Sequence, residues 1–212
     1  MHLIRRMLLA PAIVFAAFAQ ESLEVGAIGG YGFNQKFTIM NSTGSVDAGL
    51  SNGGVLGAYF GGDAKEHWGG EVRYLYKFSD PKLSGAGQTA TFNGHSHLIT
   101  GNMLAYFKDR SSAFRPFVTF GGGVRYIKST GRESSTQPLG RFAALTNTEE
   151  LSAVVDVGAG VKYSLGKSVK LRFEVHDYLG KRPDKVITVA PGATASGFYN
   201  ELVASVSVGY TW

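Results

Sequence analysis

Residues 151–165 read Leu151-Ser-Ala-Val-Val155-Asp-Val157-Gly-Ala-Gly-Val161-Lys-Tyr163-Ser-Leu165. Every odd position of this stretch is apolar, whereas the even positions, apart from Val154, are Ser, Asp, Gly or Lys. Because successive side chains of a β-strand point to opposite sides, this period of two predicts a strand with one apolar and one polar face. Its 15 residues exceed the roughly five or six of an average soluble strand and suffice for the roughly 9–11 tilted residues that cross a membrane. The stretch therefore predicts a membrane-spanning strand.

The same alternation recurs along the rest of the chain, giving eight predicted strands in all. It is clear at 68–78, 169–175 and 198–212, and weaker at 23–33, 55–61, 97–107 and 114–126. Within 55–61 the outward-facing parity stays open, because the adjacent Tyr59 and Phe60 favour opposite faces.

The connections between these strands alternate in length. Four are long, at roughly 35–52, 79–94, 129–149 and 179–197, and three are short, at roughly 62–66, 109–112 and 166–168. Outer-membrane barrels show this alternation, with short periplasmic turns and long external loops, whereas a soluble sandwich has no reason to place every long loop at one end. We therefore predict an all-β chain that forms an eight-stranded antiparallel up-and-down transmembrane β-barrel, with both termini in the periplasm of a Gram-negative-type bacterium.

Residues 1–19 have the features of a secretory signal peptide. A short basic start with Arg5 and Arg6 precedes an apolar run over 7–19. Such a run, at about 1.5 Å per residue, cannot cross a hydrocarbon core of about 30 Å. We expect cleavage before Gln20, which leaves the barrel over 20–212 and lowers the formal charge from +5 to +3 as the two arginines are lost. The basic balance therefore gives no reason to expect a nucleic-acid partner.

Composition excludes several classes of protein. The chain has 29 glycines in 212 residues, roughly twice average usage. Aromatic residues make up 12% and charged residues only 17%, which argues against a disordered chain. The absence of cysteine excludes disulfide scaffolds, thiolate metal sites and cysteine nucleophiles. No window of 18 apolar residues occurs, so a helical membrane span is not expected.

The alternation of the two flanking strands determines how many residues the turn after residue 165 contains. Because odd residues face outward in both flanking strands, the loop must contain an odd number of residues, most simply Gly166-Lys167-Ser168. This register pairs Leu165 with Val169, and it places Gly158 opposite His176 and Gly160 opposite Glu174.

The inward positions of the predicted strands carry many charges. We expect a structural polar network in the lumen formed by Glu71, Arg73, Arg115, Asp156, Lys162, Arg172 and Glu174. Further inward positions are Lys77, Arg125, Lys170, His176 and Glu201, so that basic residues outnumber acidic ones. Lys162 faces Arg172 in the predicted register, and we expect Glu174 to be the anion that both share. An eight-stranded barrel is only wide enough for its own side chains, so these residues are expected to fill it. A narrow gated pore for ions or small solutes, favouring anions, is the alternative.

The chain ends in Val206-Ser-Val208-Gly-Tyr210-Thr-Trp212, an alternating strand that closes on an aromatic residue. With the signal peptide, the eight strands and the glycine-rich strand ends, this ending resembles the OmpA-like outer-membrane β-barrel domain family. The resemblance implies that Val206, Val208, Tyr210 and Trp212 form the C-terminal signal read by the barrel-insertion machinery. It also implies contact with outer-membrane lipid and lipopolysaccharide. Unlike OmpA itself, the chain is expected to have no peptidoglycan-binding domain.

The sequence offers little chemistry beyond this. The one compact catalytic candidate is His95-Ser96-His97, but adjacent strand residues face opposite ways, so Ser96 cannot share a face with either histidine. The two imidazoles share a face, as a metal site requires, but no third ligand is visible. We therefore expect no enzyme, cofactor or metal, and a structural or surface-interaction role for the four external loops, whose ligand the sequence does not name. A lipid-modifying enzyme is the second alternative.

Overall fold

The structure is a computed structural model that describes residues 22–133 and 137–212. The predicted signal peptide, 1–19, lies outside the described residues. The described chain forms fifteen strands: β1 (Ser22–Asn34), β2 (Phe37–Asn41), β3 (Gly44–Leu50), β4 (Gly53–Lys65), β5 (Trp68–Phe78), β6 (Pro81–Gly85), β7 (Gln88–Thr91), β8 (Asn93–Tyr106), β9 (Phe114–Thr130), β10 (Ala143–Leu145), β11 (Glu149–Ser164), β12 (Val169–Gly180), β13 (Ile187–Val189), β14 (Thr194–Ser196) and β15 (Tyr199–Thr211). None of the described residues belongs to a helix long and apolar enough to cross a membrane.

Eight of these strands close into a barrel in the order β1, β15, β12, β11, β9, β8, β5 and β4, with β4 pairing back to β1. All neighbours are antiparallel, and all except β1 and β15, which close the barrel, follow one another along the chain. The predicted eight-stranded up-and-down barrel is therefore confirmed. The end of the barrel with the three short turns, Ser22 and Trp212 is called the short-turn end, and the opposite end is called the long-connection end.

The barrel wall follows the alternation of the sequence. On β11 the outward side chains include Leu151, Val155 and Val157, which are 51%, 52% and 41% exposed. Between them lie the inward Val154 and Asp156, which are buried. The outer surface is therefore an apolar band, and the polar parity of each strand faces the interior.

The second barrel strand is β4, and the position of Tyr59 shows which of its residues face inward. Its ring points inward and is 2% exposed, whereas Phe60 is 39% exposed on the outer face. Glycines make room for the ring, because a Cβ on Gly26 would lie 2.3 Å from Tyr59 Cε1 and one on Gly209 would lie 2.3 Å from its hydroxyl. The hydroxyl donates a hydrogen bond to Glu24, which satisfies the buried phenol.

The predicted turn between β11 and β12 is confirmed. The amide of Leu165 donates to the carbonyl of Val169 over 3.0 Å, and the ladder pairs Gly158 with His176 and Gly160 with Glu174. Both glycines are packed from the partner strand, since a Cβ on Gly158 would lie 2.9 Å from His176 Nδ1. The lumen therefore has room for the side chains of His176 and Glu174, because the residues that face them on β11 are glycines.

The long connections differ from the prediction. The sequence predicts external loops there, but all four long connections contain strands of their own. Strands β14, β2, β3, β6 and β7 form a five-stranded sheet, and β10 pairs with β13. These two small sheets, with the segments that join them, are called the extension below. They continue the barrel hairpins outward, because β2 and β3 lie between β1 and β4, and β6 and β7 lie between β5 and β8.

The extension has a hydrophobic core separate from the barrel interior. Ile39, Leu83 and Ile187 are each fully buried there, and the cluster also reaches Phe142 and Tyr199. Its members come from all four long connections and from the upper ends of β9 and β15. The long connections are therefore packed together into one body that covers the long-connection end of the barrel.

A charged residue at an outward-facing position tests which face of β11 contacts the lipid. Val157 lies at the middle of β11 with its side chain outward. Arginine on the lipid face at the bilayer midplane costs about 2–4 kcal/mol, so Val157→Arg is expected to lower the free energy of unfolding by that amount in urea titrations in lipid vesicles. Ser45→Arg, at an exposed position of β3, is the matched control and is expected to leave the midpoint unchanged. An unshifted midpoint for Val157→Arg would contradict the assigned face.

Candidate functional site: the charged interior of the barrel

The seven residues predicted to form the lumen network all point into the barrel. Each is at most 4% exposed: Glu71, Arg73, Arg115, Asp156, Lys162, Arg172 and Glu174. Buried charges are costly unless they are paired and hydrogen-bonded. The pairs that they form therefore decide what the interior can do.

Four of these residues form a central brace, defined as Glu71 and Arg73 on β5 with Arg172 and Glu174 on β12. Arg172 donates to Glu71 over 2.8 Å and to Glu174 over 2.7 Å. Arg73 donates to the same two carboxylates, over 2.8 Å and 2.7 Å. Charge-assisted bonds of this length are the strong ones. The two cations and two anions thus form a closed square in which each group contacts both opposite charges.

The central brace crosses the full width of the barrel. In the ring of eight strands, β5 and β12 are separated by three strands on either side. A pair on neighbouring strands would leave the middle of the lumen free, but this square occupies it. The ring faces of Tyr59 and Phe117 lie against the guanidinium of Arg172, at 4.4 Å and 5.1 Å from the ring centroids, and add aromatic bulk at the same level.

A second brace lies toward the short-turn end and consists of Glu24, Asp63, Arg115 and Lys162. Lys162 donates to Glu24 over 2.9 Å and to Asp63 over 3.4 Å, and Arg115 contacts Asp63 over 2.5 Å. The ring of Tyr106 lies beneath both cations, 3.9 Å from Arg115 and 4.9 Å from Lys162. This short-turn brace also spans opposite strands, since β11 and β4 are separated by three strands on either side.

A third brace lies toward the long-connection end. Lys77 and Glu201 form a buried ion pair, and Arg125 approaches the same carboxylate to 4.0 Å. Arg125 also donates to the carbonyl of Lys181 over 2.6 Å and lies 4.5 Å from the ring centroid of Tyr199. Because Tyr199 belongs to the core of the extension, this long-connection brace joins the barrel interior to the extension.

The expected sharing of Glu174 between Lys162 and Arg172 is wrong. Glu174 pairs with Arg172 and Arg73, whereas Lys162 takes Glu24 and Asp63. The group between Lys162 and Arg172 is Glu24, which also lies 3.9 Å from Arg172. Glu24 and Asp63 reach Lys162 across the lumen and neutralise it. Glu174 is already paired with Arg73 and Arg172.

The expected excess of base is also absent from the described barrel interior. Glu24 and Asp63, which are absent from the predicted set, are buried in the interior, whereas the predicted Lys170 is only half-buried beside the turn. Apart from Glu150 at the upper end of β11, whose carboxylate accepts from backbone amides of the extension, the buried lumen charges are six cationic and six anionic side chains, with His176 in addition: Arg73, Lys77, Arg115, Arg125, Lys162 and Arg172 against Glu24, Asp63, Glu71, Asp156, Glu174 and Glu201. The balance removes the reason to expect selectivity for anions.

The remaining member, Asp156, forms a pair with His176. The imidazole Nδ1 lies 2.8 Å from Asp156 Oδ1, and Asn102 donates to the other carboxylate oxygen over 2.8 Å. A histidine held by a carboxylate also occurs in hydrolases, where its second ring nitrogen faces a serine hydroxyl. Here that nitrogen faces the carboxylate of Glu174 at 3.6 Å. Both groups are fully buried, so the pair is shielded from bulk solvent.

The packed interior leaves little free volume around the braces. A void of 10 Å³ lies between the central and short-turn braces, lined by groups that include Glu24, Tyr59 and Arg172. This is about the space of one water molecule. At this level of the barrel the interior is filled by side chains.

A known protein family matches almost the whole chain, including all eight barrel strands. Residues 7–211 match the family described as outer membrane protein beta-barrel domain. The chain belongs to this family. No curated protein matches the sequence.

Solved outer-membrane barrels share the fold at low sequence identity. Neisserial surface protein A has a TM-score of 0.55 at 14% identity, with 90% of this chain and 99% of that chain covered. The outer membrane protein OprG from Pseudomonas aeruginosa has 0.52 at 16%, with 92% and 97% covered. The N-terminal β-barrel domain of Pseudomonas aeruginosa OprF has 0.50 at 14%, with 91% and 98% covered. These similarities support the fold, and this chain is an outer-membrane β-barrel protein.

In this outer-membrane barrel the predicted C-terminal signal lies on the outer face of β15. Val206, Val208, Tyr210 and Trp212 are 44%, 53%, 54% and 58% exposed, and the last two rings stack 6.3 Å apart. The alternate residues Ser205 and Ser207 are buried toward the lumen. Reading of this face by the insertion machinery stays a prediction.

The candidate His95-Ser96-His97 is divided between the two faces of the wall of the outer-membrane barrel. Ser96 is fully buried and contacts the hydroxyl of Ser79 over 3.3 Å. His95 and His97 lie on the outer face with ring centroids 5.4 Å apart, among Tyr76 and other aromatic rings. The hydroxyl and the imidazoles cannot act together, and no group of three or more potential metal ligands occurs in the described part of the chain.

Removing the charge of one carboxylate tests whether the central brace is shielded from water. Glu174→Gln keeps the shape but leaves Arg73 and Arg172 with one carboxylate between them, so we expect it to lower the free energy of unfolding by about 1–3 kcal/mol. Glu149→Gln is the matched control, because that carboxylate is half exposed and pairs with Lys128 over 3.0 Å. Urea unfolding in vesicles measures both. Equal midpoints for the two variants would mean that the brace is solvated.

Proposed function

We propose that this protein is a non-conducting, non-enzymatic outer-membrane barrel that holds a folded extension at the cell surface as an interaction platform. The observation that carries the proposal is the central brace, which fills the lumen from β5 to β12 with paired charges. A barrel filled in this way is a scaffold, because the space through which a solute would pass is occupied by its own side chains.

The extension supports the platform role. Binding residues on rigid scaffolds are usually carried by the connections between strands. Here the long connections have ladder pairing and a buried core of their own, so their outer surface keeps one shape. A fixed surface costs less ordering entropy on binding than a set of flexible loops.

The proposed orientation places the extension outside and both termini in the periplasm. It rests on the length of the connections, since outer-membrane barrels have short periplasmic turns and long external loops. The described chain has its short turns at one end, for example Glu66-His67 between the paired residues Lys65 and Trp68.

Orientation can be tested by labelling because the chain has no cysteine. Ser45→Cys, in the extension, is expected to react with a membrane-impermeant maleimide in intact cells. Lys167→Cys, in the short turn after β11, is expected to react only after the outer membrane is permeabilised. The reverse pattern would place the extension in the periplasm.

Conductance separates the scaffold from the pore. In planar bilayers the natural protein is expected to give no channel steps. The double variant Arg73→Ala with Glu174→Ala removes one cation and one anion, keeps the pair of Glu71 with Arg172 at 2.8 Å, and is expected to open a small conductance. Steady steps of the same size in both proteins would favour the pore and contradict the scaffold.

A further inference from the structure

The five-stranded sheet of the extension ends in β14 on one side and in β7 on the other, and the two ends differ. At β14, Arg182 donates from Nη1 to the carbonyls of Ala195 and Gly197 over 3.2 Å and 3.3 Å. The smaller sheet is covered similarly, because the side-chain amide of Gln137 bonds to the C=O and N–H of Leu145 over 2.8 Å and 2.9 Å. Beside β7, by contrast, no further strand pairs within the described chain. This end of the sheet is an open strand edge.

The backbone of β7 presents unpaired groups at the open edge. The amide of Phe92, directly after β7, donates to the carbonyl of Pro81 on β6 over 3.0 Å, and the ladder between β6 and β7 has no bulge. Because the backbone groups of successive strand residues point to opposite edges, those of Thr91 and Thr89 point away from β6. Each of these two residues therefore offers one N–H and one C=O to an added strand.

The side chains of β7 show which face of the sheet an added strand would share with the core. Ala90 is 8% exposed and packs into the core of the extension. Gln88, two residues earlier, projects to the same side of the sheet. Every second side chain of a strand paired with β7 would project to this side as well.

An open cavity of 520 Å³ lies on the core side of the sheet at the tip of β7. Its lining consists of Ala86 and Gln88 from the β6–β7 hairpin and of the segment 137–141. Leu139 of that segment is 5% exposed and belongs to the core of the extension, so the core lies behind the cavity. A core-side side chain of an added strand would point into this space.

One charged group, Arg141, lines the cavity. Its side chain is exposed, and its guanidinium lies 5.0 Å from the ring centroid of Phe142. The described lining contains no carboxylate, and Arg141 forms no ion pair within 22–133 and 137–212. Its donors are therefore free for a carboxylate, which a guanidinium binds through two parallel hydrogen bonds.

We propose that β7 binds an extended peptide of a partner protein as an additional strand, with an acidic side chain of that peptide in the cavity beside Arg141. The inference names the class of partner for the interaction platform and rests on that proposed function. Backbone bonds to Thr89 and Thr91 supply affinity independent of sequence, and the cavity selects the side chain. Natural proteins block open edges with lysine or proline, but β7 itself has neither.

Fluorescence anisotropy with the purified full-length protein in detergent tests the proposal. The probe is a labelled peptide in which threonine and valine alternate around a central glutamate. One comparison peptide has lysine in place of the glutamate, and the other has N-methylated backbone nitrogens and cannot donate. The natural protein is expected to bind the probe about tenfold more tightly than either comparison peptide. Equal binding of the N-methylated peptide would overturn strand addition.

A proline at the open edge tests the backbone contribution. Thr89→Pro removes an outward N–H and is expected to weaken probe binding by about tenfold. Thr89→Val keeps the backbone groups and is expected to bind as the natural protein does. Because this amide makes no bond to β6, proline is tolerated there, and the heat-modifiability of the barrel on gels is expected to stay unchanged. Equal weakening in both variants would show recognition of the threonine side chain and overturn the edge.

The cavity is tested by Arg141→Gln. This variant is expected to weaken binding of the glutamate peptide by about tenfold, the loss of about one charge-assisted hydrogen bond, and to leave the lysine peptide without that loss. Lys36→Gln is the control, because it removes one exposed positive charge next to β2, on the far side of the sheet from β7. Equal weakening in both variants would reduce the effect to net charge and overturn the carboxylate site.

Sedimentation of the same protein in detergent distinguishes a peptide partner from a second copy of this chain. The natural protein is expected to sediment as a single copy. A dimer that Thr89→Pro abolishes would assign the open edge to a second copy and overturn the peptide partner. The labelling of Ser45→Cys and the conductance measurement report on the proposed function separately, so a failed edge and a failed scaffold give different results.

Discussion

The structure depends on the neutralisation of charge across the width of the barrel. An eight-stranded wall encloses a space that must be filled by side chains, and this chain fills it with arginine, lysine, glutamate and aspartate. Such groups are tolerated only in pairs. The central brace satisfies this condition by joining β5 to the opposite strand β12 through contacts of 2.7–2.8 Å. The positions of the inward glycines and of the buried aromatic rings follow from that requirement.

The inward glycines are the counterpart of the large charged and aromatic side chains. Gly26 and Gly209 make room for Tyr59, and Gly158 and Gly160 face His176 and Glu174. Substitution of any of them would move a side chain that holds a buried partner. The high glycine content of the chain therefore has a packing role inside the barrel, besides its role in turns.

The wall of the barrel could be predicted from the sequence because a period of two over ten or more residues is a strong signal. The partner of Lys162 could not, because Glu24 lies on a strand whose inner face is otherwise mostly glycine, including Gly26, Gly30 and Gly32, and gives no polar period. Asp63 falls in the predicted turn 62–66, whereas β4 continues through it with a bulge before Lys65. The extension could not be predicted because its strands, such as β2 with five residues, are too short to show a period, and its core joins residues from all four long connections.

The braces join residues that are far apart in the chain, and this bears on how the protein enters the membrane. Glu24 and Lys162 are separated by 138 residues, and Arg73 and Glu174 by 101. A partly inserted sheet would therefore expose unpaired charges to hydrocarbon, and its open edges would carry unpaired backbone groups. The open edges stay unpaired until β15 meets β1. In this chain, neutralisation of the interior therefore depends on strands that only the curvature of the closed barrel brings face to face.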